Sequence, residues 1–172
     1  MKPQNYITLE EFAAVYPEIS YFVRHEFPNK ERVAWLRNTC FERYGVDATD
    51  NAKIDQFRRN LKVSAIVTYT WVSQEGLATQ VFSDLIASRD GRVVGDRRRT
   101  EVNPETGEAT PIDPQVVEVV FTNDDIVYGD QWPAPRFAPG AFTIFFRSIF
   151  KQMYGYEPEI VVLGKGFQVF GP

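Results

Sequence analysis

The chain has 172 residues, 44% of them hydrophobic and 15% aromatic, which suits a folded chain with a sizeable core. A formal net charge of -4 argues against nucleic acid as a partner, because binders of nucleic acid carry a basic face. One cysteine, Cys40, and one histidine, His25, exclude a disulfide within the chain and a Cys/His zinc site, and leave no basis for a Ser-His-Asp triad.

The first third reads as helical. Thr8-Leu9-Glu10-Glu11 fits a capping box. Pro17 opens a second predicted helix with Ile19, Phe22 and Val23 on one face, and Pro28 ends it. A third helix is predicted from about Lys30 to Tyr44, with Val33, Leu36 and Cys40 at helical spacing and Gly45 as its stop. Cys40 is most simply a small core residue there. A weaker helical pattern covers Ala52 to Asn60.

The pattern then changes. Leu61 to Trp71 alternates and is rich in β-branched and aromatic residues, so it reads as a strand. Leu77, Val81 and Leu85 mark one face of a following helix. Asp90-Gly91 is a turn, and Arg92 to Gly95 is a candidate short strand. Asp96 to Pro114 is polar and predicted to be an exposed loop or hairpin tip. Its run Arg97-Arg98-Arg99 reads as a solvated face in preference to an anion or partner site. Val116 to Phe121 is a second strand. A proline-rich loop leads to a helix whose expected apolar stripe is Phe142, Phe145, Phe146, Ile149 and Met153, closed by Gly155. Glu159 to Gly166 is a third strand, apolar enough to lie in a parallel sheet covered on both faces. The order implies an α/β layer over 61–172 with a helical N-terminal extension over 1–60. No apolar run is long enough to span a membrane, and the N-terminus has neither a signal-peptide pattern nor an Arg-rich transit pattern.

In open α/β sheets polar function gathers at the carboxyl ends of strands. Two such ends draw notice: Thr122-Asn123-Asp124-Asp125 and Gly164-Lys165-Gly166. A crossover between their strands would bring an amide, carboxylates and a lysine to one crevice, where the lysine could hold a phosphate. The plain alternative is a turn capped by Asn123 and Asp125 beside an exposed glycine turn.

The segment Val119 to Phe142, followed by Val161 to Lys165, resembles the stretch after the cap in haloacid dehalogenase-like hydrolases of class IIA. The resemblance is closest to the subgroup that includes the cat-eye-syndrome-region protein. Thr122, Asn123 and Asp125 match that group's Thr/Ser-Asn-x-Asp motif. Pro135, Arg136, Phe137, Gly140, Ala141 and Phe142 match its Pro-Arg-Phe-x-x-Gly-Ala-Phe stretch, and Gly164-Lys165 its Gly-Lys-Pro, with Gly166 in place of proline. The stretch from Lys62 to Gly95 is similar to the subgroup's first cap strand and helix. The likeness runs from about Leu61 to Gly166 and implies a partial cap/core layer of that superfamily. Thr122, Asn123, Asp125 and Lys165 would be the remnant of a phosphate- or ligand-binding edge.

Those hydrolases attack phosphorus with the first Asp of an Asp-x-Asp pair and bind Mg²⁺ through downstream carboxylates. The sequence has no Asp-x-Asp. The resemblance therefore implies a non-catalytic structural or assembly subunit with protein partners and no metal or cofactor of its own. Two alternatives stay open: one part of a split or truncated phosphatase whose other chain supplies the nucleophile and the Mg²⁺ site, and a small-molecule binding module. By the same resemblance the expected location is mitochondrial, and otherwise cytoplasmic.

Overall fold

The computed structural model describes residues 5–19, 29–69, 72, 74–131 and 133–164. The helix predicted from Pro17 falls mostly outside them, as do His25, Trp71 and Lys165. The protein is α/β and divides into two compact units.

The first unit comprises 1–62 and 76–81. Helix α1 (Leu9–Val15) starts with both capping-box bonds: the Thr8 N–H donates to the Glu11 carboxylate at 3.0 Å, and the Glu11 N–H donates to the Thr8 hydroxyl at 3.2 Å. Its apolar residues Phe12 to Tyr16 are buried, and it packs on α2 (Lys30–Tyr44). Asn29 caps α2 and Gly45 ends it with φ +67°, a conformation that favours glycine. Leu36, Cys40 and Phe41 are its buried residues, while Val33 is only half-buried. Cys40 is fully buried, and burial with the nearby Glu11 charge pushes its thiol up to about 11, which keeps it protonated and unreactive. Helix α3 (Asn51–Asn60) is firmer than its sequence pattern suggests because Asp50 accepts from the N–H groups of Ala52 and Lys53. Phe57 meets Phe41 edge-on at 5.7 Å. Glu11 receives two bonds from Arg43, at 2.7 and 2.8 Å.

The second unit comprises 63–75 and 82–172. Strands β1 (Ala65–Thr68), β4 (Glu118–Phe121) and β7 (Val161–Val162) form a parallel sheet in the order β1-β4-β7. Helix α4 (Glu75–Ile86) lies between β1 and β4 in the chain, and α5 (Pro139–Tyr154) lies between β4 and β7. A hairpin, β2 (Thr100–Val102) and β3 (Ala109–Pro111), turns through Gly107 at φ +72°. A second ribbon pairs β5 (Val127–Tyr128) with β6 (Arg136–Phe137).

One sheet face is closed by aromatic packing. Ile66, Val119 and Phe121 are buried on it. Phe121 meets Phe142 at 5.9 Å, Phe146 at 6.2 Å and Phe82 at 6.3 Å. The buried stripe of α5 is Phe142, Phe146 and Phe150, spaced by four, and Phe145 and Met153 point to solvent instead of into the expected stripe. The apolar positions were too many for one face, and the spacing that meets Phe121 won. Gly155 ends α5 at φ +78°.

The opposite face is open. Val67, Val120 and Val161 share one register row there, with Tyr69 and Leu163 continuing it. Tyr69 is 77% exposed, Val161 57%, Leu163 48% and Val67 43%. The expectation that the third strand is covered on both faces is thus overturned. The strands are also shorter than predicted. The Leu61 N–H closes α3 on Phe57, and Val63 bonds to Gly91. The Gln115 amide spans the carbonyls of Val117 and Glu159 and the N–H of Glu159, doing with a side chain what a longer ladder would do with backbone.

One further expectation fails and another holds in part. Residues 92–95 form a turn and not a strand, because the Ser88 hydroxyl and the Asp90 carboxylate take up the N–H of Arg92. In the run Arg97-Arg98-Arg99, Arg97 and Arg99 are exposed, as expected, and only Arg98 departs from a solvated loop. Arg97 pairs with Asp84 at 2.7 Å, Arg99 pairs with Asp113 at 2.7 Å, and Arg98 is buried, bonded to the Asp113 carbonyl and lying over the Tyr156 ring. The run ties the hairpin base to the unit's helices.

Phe146→Ala should cost about 3–5 kcal/mol in denaturant unfolding, because it opens a cavity against the rings of Phe82, Phe121, Phe142 and Phe150. Burial acts to raise the Glu11 pKa, but the Arg43 pair and the Thr8 N–H outweigh it and hold it below the usual range. A depressed folded-state pKa gives stability that is present above the unfolded value and lost as pH falls. Melting temperature should therefore drop below about pH 4.5. Glu11→Gln should flatten that acid limb while lowering stability at neutral pH.

Candidate functional site

The carboxyl edge of the β1-β4-β7 sheet collects most of the residues singled out by sequence. Thr122, one residue past β4, returns to β1: its N–H and its hydroxyl both donate to the Thr68 carbonyl, at 3.1 and 2.7 Å. Asn123 accepts from the Asp125 N–H at 2.8 Å, forming an Asx turn. The Asp125 carbonyl accepts from the Gly140 N–H at 2.8 Å, which gives one of the first N–H groups of α5 a partner where no side chain caps the helix. Pro139 stands in the first turn, where its missing N–H costs nothing.

Two glycines sit at close approaches on this edge. A Cβ on Gly140 would strike the backbone carbonyls of Asp124 and Asp125, the latter at 2.8 Å. A Cβ on Gly164 would strike the Asp124 carboxylate, so that carboxylate packs directly on the glycine that follows β7. Leu163 joins the same edge through its N–H to the Phe121 carbonyl at 2.7 Å. The structure thus brings Thr122, Asn123 and Asp125 together at one edge with Gly164. Lys165, the next residue in the chain, lies outside the described residues.

Sequence reading missed Asp124. It occupies the variable position of the Thr-Asn-x-Asp motif, yet its carboxylate is the group that meets Gly164. The only available sign was a second acidic residue beside the matched one. Among the described residues no group of three or more His, Cys, Asp or Glu side chains is placed to hold a metal ion. Among them, too, no helix is long and apolar enough to cross a membrane.

The prolines of the loop serve the β5–β6 ribbon. Val127 faces Phe137 and Tyr128 faces Arg136 in register, and the Ala138 N–H returns to the Ile126 carbonyl. Tyr128, Pro135, Arg136, Phe137 and Pro139 line an open cleft of about 710 Å³. Its walls are mainly apolar, with the Arg136 guanidinium turned toward the Ala134 carbonyl.

No protein-family profile matches the chain. Over 103 residues, 60% of its length, the chain is 27% identical to a "Cardiolipin synthase (CMP-forming) / mitochondrial hydrolase fusion protein" of Schizosaccharomyces pombe. The aligned part spans 15% of that protein.

Gly140→Ala and Gly164→Ala should differ in a way that tests this edge. The first forces backbone apart and should cost about 1–3 kcal/mol. The second displaces only a rotatable carboxylate, so its cost should be clearly smaller, and Asp124→Ala should relieve it in a double-mutant cycle. Equal costs in thermal unfolding would contradict the geometry described for Asp124.

Proposed function

We propose that the chain is a non-catalytic, haloacid dehalogenase-like subunit of a larger mitochondrial assembly. One observation carries the subunit reading: the sheet is sealed by helices on one face and leaves Val67, Tyr69, Val161 and Leu163 bare on the other. Contiguous exposed apolar residues of this kind are the feature by which interaction sites are recognised. The motif order from Thr122 to Lys165 supports the superfamily. The word "mitochondrial" in the name of the Schizosaccharomyces pombe relative supports the location.

The absence of Asp-x-Asp removes the nucleophile from this stretch of sequence. The split-phosphatase reading draws on the convergence of Thr122, Asn123 and Asp125 beside Gly164, with Lys165 next in sequence. Under it, a partner chain would bring the nucleophile and the Mg²⁺ carboxylates.

Gentle purification from the native source separates these readings. The expected particle is far above the chain's 19.8 kDa, holds partners in fixed ratio, and has no Mg²⁺-dependent phosphatase activity that Lys165→Ala abolishes. Such an activity would establish the split enzyme instead. A free chain of 19.8 kDa would overturn both.

A further inference from the structure

The two edges of the β1-β4-β7 sheet are finished differently. The Leu163 N–H bonds to Phe121, so odd-numbered residues of β7 face β4 and Ile160 faces outward. There the Ile160 carbonyl accepts from the Arg147 guanidinium at 3.1 Å, and the strand is only two residues long. A short edge covered by a charged side chain is protected against further pairing. Strand β1 has no such cover. The Ser64 and Thr68 carbonyls accept from Glu118 and Thr122, so even-numbered residues face β4, and Ala65, Val67 and Tyr69 turn their backbone groups outward. On that outer side the Val63 N–H is used by the Gly91 carbonyl. Among the described residues no hydrogen bond reaches the outer groups of Ala65, Val67 or Tyr69, and all three residues are exposed. Val63 to Gln74 holds no charged residue, and Ile66, Val67, Thr68 and Tyr69 are strong strand formers. An exposed, uncharged strand with a row of unpaired backbone groups is a template for another strand.

The edge is complementary to itself. An antiparallel pair centred on Val67 sets Val67 against Val67 of a second copy and Ala65 against its Tyr69, small against large, with about six backbone hydrogen bonds between the copies. In this register each copy uses only outer groups that have no other partner, whereas a shift of the centre to Ala65 would need the Val63 N–H that Gly91 already holds. No like charges meet within the pair, because the nearest charged residues are Lys62 and Glu75, beyond the paired span. We infer that the chain forms a two-fold dimer in which β1 pairs antiparallel with β1 of a second copy, joining two three-stranded sheets into one. Opposed residues of antiparallel strands share a face, so the bare faces of the two copies lie on the same side and their apolar rows run together. The inference goes beyond the subunit reading, which concerns that face and not the edge.

Sedimentation velocity of the whole chain over about 1–100 µM should show a monomer passing into a dimer. Val67→Pro removes an outer N–H and leaves the bonds of β1 to β4 in place, so it should weaken the dimer at least about tenfold with circular dichroism unchanged. Val67→Lys keeps the backbone and sets two like charges against each other, so it should do the same, and it carries the test where the proline variant fails to fold. Val161→Lys, at an exposed valine of the same face but on β7, should leave the dimer intact. Under mild oxidation Val67→Cys should give a disulfide-linked dimer, since paired Cα atoms lie about 5.5 Å apart, and Val161→Cys should not. Cys40 is fully buried and takes no part. A chain that stays monomeric over that range, a dimer that survives in the folded Val67 variants, or one that Val161→Lys dissolves would each overturn the inference. A native particle in which the chain pairs only with itself keeps this inference and sinks the subunit reading. A large native particle holding a single copy of the chain does the reverse.

Discussion

Phe121 is the residue on which the second unit turns. It sits at the end of the central strand, is 2% exposed, and is met by Phe82, Phe142 and Phe146 at 5.9 to 6.3 Å. Because these rings come from both crossover helices, they fix α4 and α5 to the same sheet face. The consequence is a sheet with one dry side and one bare side. Burial of large aromatic surface drives the first, and on the second Val67, Tyr69, Val161 and Leu163 stay exposed. The carboxyl edge inherits its geometry from the same packing, since Phe121 immediately precedes Thr122 and the start of α5 is held by Asp125.

That edge is built more tightly than a set of surface turns. Thr122 stitches two strands, Asn123 shapes the turn, Asp125 completes a helix start, and Asp124 fills the space over Gly164. Every one of these roles is structural. The segment acts as a joint between strand and helix.

What could be read from sequence was local, and what could not was set by distance along the chain. The capping box at Thr8, the span of α2, and the glycine stops at positions 45 and 155 depend on neighbours within a turn of helix, and they appear as expected. The α/β class followed from the change of period near residue 61. Strand lengths did not follow, because Gln115 braces Glu159 from 44 residues away and replaces ladder bonds. The arginine run was read as solvated, which holds for Arg97 and Arg99; the burial of Arg98 and the pairing with Asp84 and Asp113, 13 and 14 residues off, lay beyond local pattern. The stripe on α5 was drawn too wide because periodicity alone cannot tell which of several phenylalanines meets Phe121. At the candidate site, Thr122, Asn123 and Asp125 follow the end of β4, a position legible from the strand pattern, whereas the contact of Asp124 with Gly164 joins residues 40 positions apart.

The central claim is that the bare sheet face is covered in the working protein. Side-chain footprinting of the native particle, compared with the isolated chain, addresses it directly. Labelling of Tyr69, Val161 and Leu163 should fall sharply in the particle, while Trp35, 62% exposed on α2, serves as a reference within the isolated chain. Labelling of the three sheet residues that stays the same in both samples would contradict the account.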